Sequence, residues 1–346
     1  MARNMNRRAF VGTLPLWPLA KEALIGGGEP SRLSIEDLVA ARMAQATQAA
    51  PSFPIIDTHI HIYDKTKPGG APWPRDVPGG GEPPQGMVAL PNRYKAIVAP
   101  FGVAGAIIVE ASPRLEDNQW CLDVAANHPI IVGLVGRLDP ADEAFPSNLE
   151  RLVKNRLFLG VRQGQLHLAL DSPTAIGNLR RLADADCSLD VDTPRQGMTA
   201  AEVLLKVLDK VPNVRLVMDH LPDVRFPDDA AKERYVRHLR ELTKRPNVYI
   251  KLSEVVRRYE GRVSTDLHLY RAWLDELWDI FGEDRIIFGS DWPQSETLEF
   301  NSYPNVFGVA RAYVMSKSPA AMEKVFWRNS RKPYRWVQRE PSQRQP

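Results

Sequence analysis

The stretch PIIDTHIHIYD, residues 54–64, sets His59 and His61 two positions apart, just after the apolar pair Ile55 and Ile56. Side chains at i and i+2 of a strand share a face, so the two imidazoles project together as a pair of metal ligands. The plainer alternative is an edge strand carrying two solvated histidines. An Asp-x-His-x-His string closing an apolar run favours the ligand pair. Polar groups end other apolar runs in the same way: Glu110 in IIVEAS, Arg137 and Asp139 in VGRLDP, Arg162 and Gln163 in LGVRQG, and Asp192 in LDVDTP. Asp219 and His220 in VMDHLP, Lys251 and Glu254 in YIKLSE, and Asp291 in IIFGSDWP continue the pattern. Imidazole and oxygen donors together suit zinc first and manganese second. A divalent cation lowers the pKa of bound water to about 7 and polarises a carbonyl. A carboxylate beside it can take the proton from that water. The chemistry expected is attack of activated water on a carbonyl.

Such groups converge only if the runs preceding them lie side by side. Eight Val-, Ile- and Leu-rich runs fall at residues 55–61, 105–111, 130–138, 158–163, 188–192, 214–220, 248–253 and 286–290. They lack strict alternation, as strands covered on both faces do. Helical stripes separate them, among them Val203, Leu204, Val207, Leu208 and Val211, and Trp273, Leu274, Leu277, Trp278 and Phe281, with Gly282 placed to end the second helix. Strand alternating with helix eight times predicts an α/β fold of the (β/α)8 TIM-barrel type, over a doubly wound open sheet. In such a barrel the polar strand ends form one mouth. Residues 64–91 form a Pro- and Gly-rich connection after the first strand, far longer than the usual few residues, and are expected to wall the mouth or close over it.

Composition narrows the partners. A net charge of +3, with Lys and Arg dispersed, gives no clustered basic face for nucleic acid. No apolar run approaches the ~18 residues of a membrane span. The two cysteines, Cys121 and Cys187, lie apart in apolar surroundings with no metal-binding spacing, and read as buried thiols. The partner expected is a small-molecule substrate, with self-association into a homo-oligomer left open. Residues 1–25 carry Arg7 and Arg8 before a modest apolar stretch and resemble a twin-arginine export signal, which implies an exported or periplasmic protein. A basic tail on a cytoplasmic protein is the alternative. Residues 26–53 read as a linker with one short helix, residues 54–337 as the barrel, and residues 338–346 as a C-terminal tail.

The motifs IIDTHIHIYD, GAIIVEAS, LGVRQG, VMDHLP, VYIKLSE and IIFGSDWP, with the closing VFWRNSRKPYRW, resemble the amidohydrolase superfamily. The likeness is to the branch that contains sugar-lactone and pyrone-dicarboxylate lactonases. It implies a (β/α)8 hydrolase of a lactone or related carboxylic ester. By motif, His59 and His61 match the metal pair, Asp291 the base that is sometimes also a ligand, and His220 a contact to substrate or metal. Glu110 is expected to complete the coordination and Arg162 to hold a substrate carboxylate or hydroxyl. The fifth run, SLDVDTP, lacks the histidine that many relatives place there, which points to a single metal. Some lactonases of this branch need none, so metal-free catalysis stands as an alternative. A non-oxidative decarboxylase and a non-catalytic binding barrel are the competing functions.

Overall fold

A computed structural model of the chain describes residues 52–75, 82–164, 166, 170–193, 197–222, 226–259, 262–297 and 302–344. The expected export signal and the expected short helix before residue 51 lie outside the described residues. The apolar runs become eight strands: β1 Ile55–Ile60, β2 Val103–Val109, β3 Ile131–Gly136, β4 Phe158–Gln163, β5 Ser188–Asp192, β6 Arg215–Asp219, β7 Val248–Leu252 and β8 Ile286–Phe288. They lie in one parallel sheet in sequential order. The sheet closes on itself just past β8, where Ile60 pairs in parallel with Trp292. Asp291 N–H donates to His59 O at 2.9 Å and His61 N–H to Trp292 O at 2.6 Å.

Nearly every strand residue is buried on both faces, as the Val- and Ile-rich runs require. The covering helices bury the predicted stripes. Ala200–Lys210 buries Val203, Leu204, Val207 and Leu208, and His268–Phe281 buries Leu274, Leu277 and Phe281. Trp273 and Trp278 are only partly buried at the edge of that packing. Gly282 at φ +71° ends the second helix, in a conformation that costs a Cβ-bearing residue more.

The lower barrel interior is apolar. Ile56, Ile107, Val132, Val217, Tyr249 and Ile287 pack there, and Trp327, Tyr334 and Trp336 from the C-terminal segment pack against them. That segment continues as an anchored strap rather than a loose tail. Arg339 Nη1 donates to the carbonyls of Ala125 and Ile131, and Gln343 Nε2 to those of Ala104 and Pro129. The strands are shorter at the mouth than the sequence pattern implies. His61, Glu110 and His220 stand just past the last paired residue of their strands, Asp291 lies three residues past β8 beside the bridged Trp292, and Glu254 lies two residues past β7. His220, Glu254 and Asp291 have φ values of +61°, +52° and +57°. Left-handed backbone is rare for such residues and concentrates where a side chain must be aimed.

Candidate active site

Asp57 ties the first strand to the last. Its Oδ1 accepts from Ser290 N–H at 2.8 Å and His59 N–H at 3.2 Å, and its Oδ2 from Tyr94 Oη at 2.8 Å. This fixes the backbones carrying His59 and Asp291 against each other. The donor atoms then meet: His59 Nε2 lies 3.3 Å from His61 Nε2, Asp291 Oδ1 lies 3.5 Å from His59 Nε2, and His61 Nε2 is 3.2 Å from the same oxygen. Zinc bonded at about 2.0–2.1 Å in a tetrahedron needs ligand atoms about 3.3–3.4 Å apart. The three separations bracket that edge, so the residues fit a divalent cation.

The protonation states agree with this reading. Burial and Arg162 lower the His61 pKa to about 4. Burial, with Lys251 beside it, lowers that of His59 well below the usual value, so both rings are neutral at pH 7. His61 Nδ1 lies 2.8 Å from Val109 O, which fixes its proton there and leaves Nε2 bare. His59 Nδ1 faces Asp219 Oδ1 at 3.5 Å, the carboxylate–histidine arrangement that orients metal ligands. Burial pushes the Asp291 carboxyl well above the usual carboxylate range, with Arg162 opposing.

Beneath the site runs a charged network. Lys251 Nζ lies 2.9 Å from Asp190 Oδ2, 2.8 Å from Asp219 Oδ1 and 3.2 Å from His59 Nδ1. Lys251 and the two aspartates are fully buried. Burial opposes ionisation of Asp219, yet Lys251, His59 and Arg162 hold its carboxyl well below the usual range. Sequence reading noted Lys251 and Asp219 as strand ends without pairing them, and passed over Asp190. The signal was present in β5, where Asp190 and Asp192 alternate with Leu189 and Val191 and must face the barrel interior. Removing the lysine strands two buried carboxylates, so Lys251→Met is expected to cost roughly 3–5 kcal/mol. Urea unfolding should show the loss, with Asp190→Asn restoring part of it. A midpoint equal to wild type would contradict this account of the network.

Arg162 does not stand free for substrate as expected. Its Nε donates to Asp219 Oδ2 at 2.8 Å and its Nη2 to Asp192 Oδ2 at 3.0 Å. Glu110 is likewise not brought to the donor cluster. Its Oε1 lies 3.7 Å from Arg137 Nη1, and among the described residues it is absent from both clusters of candidate ligands. A glutamate just past the end of β2 reaches the wall of the mouth, while the floor is filled from β1, β6 and β8. The second cluster is His220, Glu254 and Asp291. His220 Nδ1 lies 2.9 Å from Ser253 Oγ, its ring 4.5 Å from that of His59, and burial lowers its pKa. Burial and the nearby Asp291 push the Glu254 carboxyl up to about 8.

These groups line a cavity of about 550 Å³ at the C-terminal mouth of the barrel, with Arg162, Glu110 and Arg137 on its walls. The long connection after β1 supplies part of the wall through Pro72, Trp73 and Arg75. Close packing below the site sets a further limit. A Cβ on Gly289 would stand 2.7 Å from His59 Cβ and 3.4 Å from His59 N. Gly289→Ala must therefore displace His59, and is expected to weaken metal binding about 10–100-fold while leaving a folded barrel. Competition with a chromophoric chelator reads that change, and wild-type affinity would contradict the packing argument.

Comparison with known proteins agrees with this fold. An L-fucono-1,5-lactonase of Burkholderia ambifaria is 28% identical over 250 residues, spanning 69% of this chain and 80% of that protein. A zinc-bound amidohydrolase of Burkholderia multivorans superposes with a TM-score of 0.68 at 23% identity, over 82% of this chain and 100% of the other. A 2,6-dihydroxybenzoate decarboxylase complexed with 2,6-dihydroxybenzoate shares the fold at a TM-score of 0.55 and 15% identity, over 82% of this chain and 99% of the other. The family model described as Amidohydrolase matches residues 56–336, from β1 through the barrel floor. A hydrolase on a (β/α)8 barrel, with its polar strand ends gathered at one mouth, this chain belongs to the amidohydrolase family.

Proposed function

We propose that the chain hydrolyses a lactone or closely related carboxylic ester, with a divalent cation, zinc foremost, held by His59, His61 and Asp291. The observation that carries this reading is the three donor atoms spaced 3.2–3.5 Å apart on the floor of an open polar cavity. The lactonase relative supports the substrate class. A bound cation would lower the pKa of water and draw electron density from the ester carbonyl. Asp291 accepts the proton of the attacking water; burial raises its pKa with Arg162 opposing, and a bound cation would favour the ionised carboxylate. His220 can meet the oxygen that gains charge. With Nδ1 accepting from Ser253 Oγ–H, its proton rests on Nε2 and is available to an oxyanion. Arg162 positions Asp192 and Asp219 from the cavity wall.

A panel of sugar lactones and pyrones, followed by a pH indicator and by carbon dioxide evolution, tests the reading. Proton release without carbon dioxide is expected from at least one lactone. Carbon dioxide from an aromatic acid, with no lactone turned over, would replace the proposal with decarboxylation.

A further inference from the structure

Among the described residues that line the cavity, Trp73 is the one Trp, Tyr or Phe side chain. The rest of the lining is mostly charged or polar, and two of its three arginines are engaged, the third, Arg75, standing exposed on the wall. Arg162 is held by Asp192 and Asp219, and Arg137 lies against Glu110. A wall of hydrogen-bonding groups with one large aromatic face suits a ligand with hydroxyls around its rim and C–H groups on one face. Trp73 stands beside the reacting centre, its ring centroid 5.2 Å from that of His61 and 5.3 Å from that of Tyr63 in an edge contact.

The connection carrying Trp73 is pinned on both sides of it. Lys65 Nζ donates to Ala71 O at 3.3 Å and to Pro74 O at 2.9 Å, so one ammonium bridges the carbonyls flanking the tryptophan. Arg114 Nη1 donates to Gly69 O at 2.8 Å, and Lys67 Nζ lies 2.6 Å from Asp117 Oδ1. An aromatic side chain fixed before the ligand arrives gives up little freedom on binding, which is how rigid anchors gain affinity.

We infer that Trp73 is the stacking platform of the substrate subsite, taking the C–H face of a hydroxylated lactone ring beside His61 and Asp291. This deepens the lactone reading above and rests on it. Trp73 touches the substrate ring but not the reacting bond, so its loss weakens binding more than it slows the chemical step.

The test uses the full chain with L-fucono-1,5-lactone as probe, comparing wild type, Trp73→Phe and Trp73→Ala. Trp73→Ala is expected to raise KM about 10–100-fold with kcat within about threefold, and Trp73→Phe to stay near wild type. Metal content and the urea midpoint of both variants are expected to match wild type. An unchanged KM in Trp73→Ala would overturn the inference and leave the lactone reading standing. So would lost metal in Trp73→Ala, which would make Trp73 a prop for His61. A wild-type preference for a dicarboxylate pyrone over hydroxylated lactones would overturn it as well. A wild type that hydrolyses no lactone takes down the lactone reading and this inference together.

Discussion

Asp291→Asn is expected to lower kcat by roughly 10²–10⁴-fold, the usual contribution of a positioned general base. The substitution isolates that role well. Asp291 sits at φ +57°, a conformation that asparagine adopts more readily than most residues, so the rim geometry should survive. Asparagine keeps an oxygen where Oδ1 stands 3.2 Å from His61 Nε2, and loses the charge and the basic lone pair. KM should move much less than kcat. Metal content should be measured alongside, since the same oxygen is a ligand and its charge contributes to affinity. A variant that keeps its metal and its kcat within about threefold of wild type would remove the base from Asp291. The role would then pass to Glu254 or His220, the other members of its cluster.

His59→Ala combined with His61→Ala should abolish stoichiometric binding of zinc or manganese, with activity falling by roughly 10³-fold or more. Two of the three donor atoms disappear, and the remaining carboxylate cannot hold a cation alone against water. The fold should persist, because the apolar floor is untouched, with His61 lining the mouth and His59 buried just behind it. Circular dichroism and a urea titration check that point. Full activity in the double variant after exhaustive chelation would establish a metal-free lactonase and refute the assigned role of these histidines.

How much of this was legible in the sequence depends on the range of the interaction. The His59/His61 pair is local, fixed by a two-residue spacing on one strand, and so is Asp291 at the end of its apolar run. The eight strands and their order follow from alternation with amphipathic helices. What periodicity does not encode is which strand ends meet across the mouth. Asp190, Asp219 and Lys251 come from β5, β6 and β7 and find one another only once the barrel is closed. Arg162 looked available because its partners, Asp192 and Asp219, are 30 and 57 residues away. Glu110 looked like a ligand because it ends a strand, but it belongs to the wall. The strap at Arg339 and Gln343 carried no pattern at all, since its bonds go to backbone carbonyls that any sequence provides.

The central claim joins a divalent cation to lactone turnover. It is tested most directly by stripping the purified full chain with a chelator, then adding zinc in steps while following proton release from the lactone of the panel that the loaded chain turns over. The account predicts negligible release from the stripped protein and a rate that rises to a break at about one zinc per chain, as a three-donor site of this spacing requires. A stripped protein that hydrolyses the lactone at the full rate, indifferent to added zinc, would contradict it.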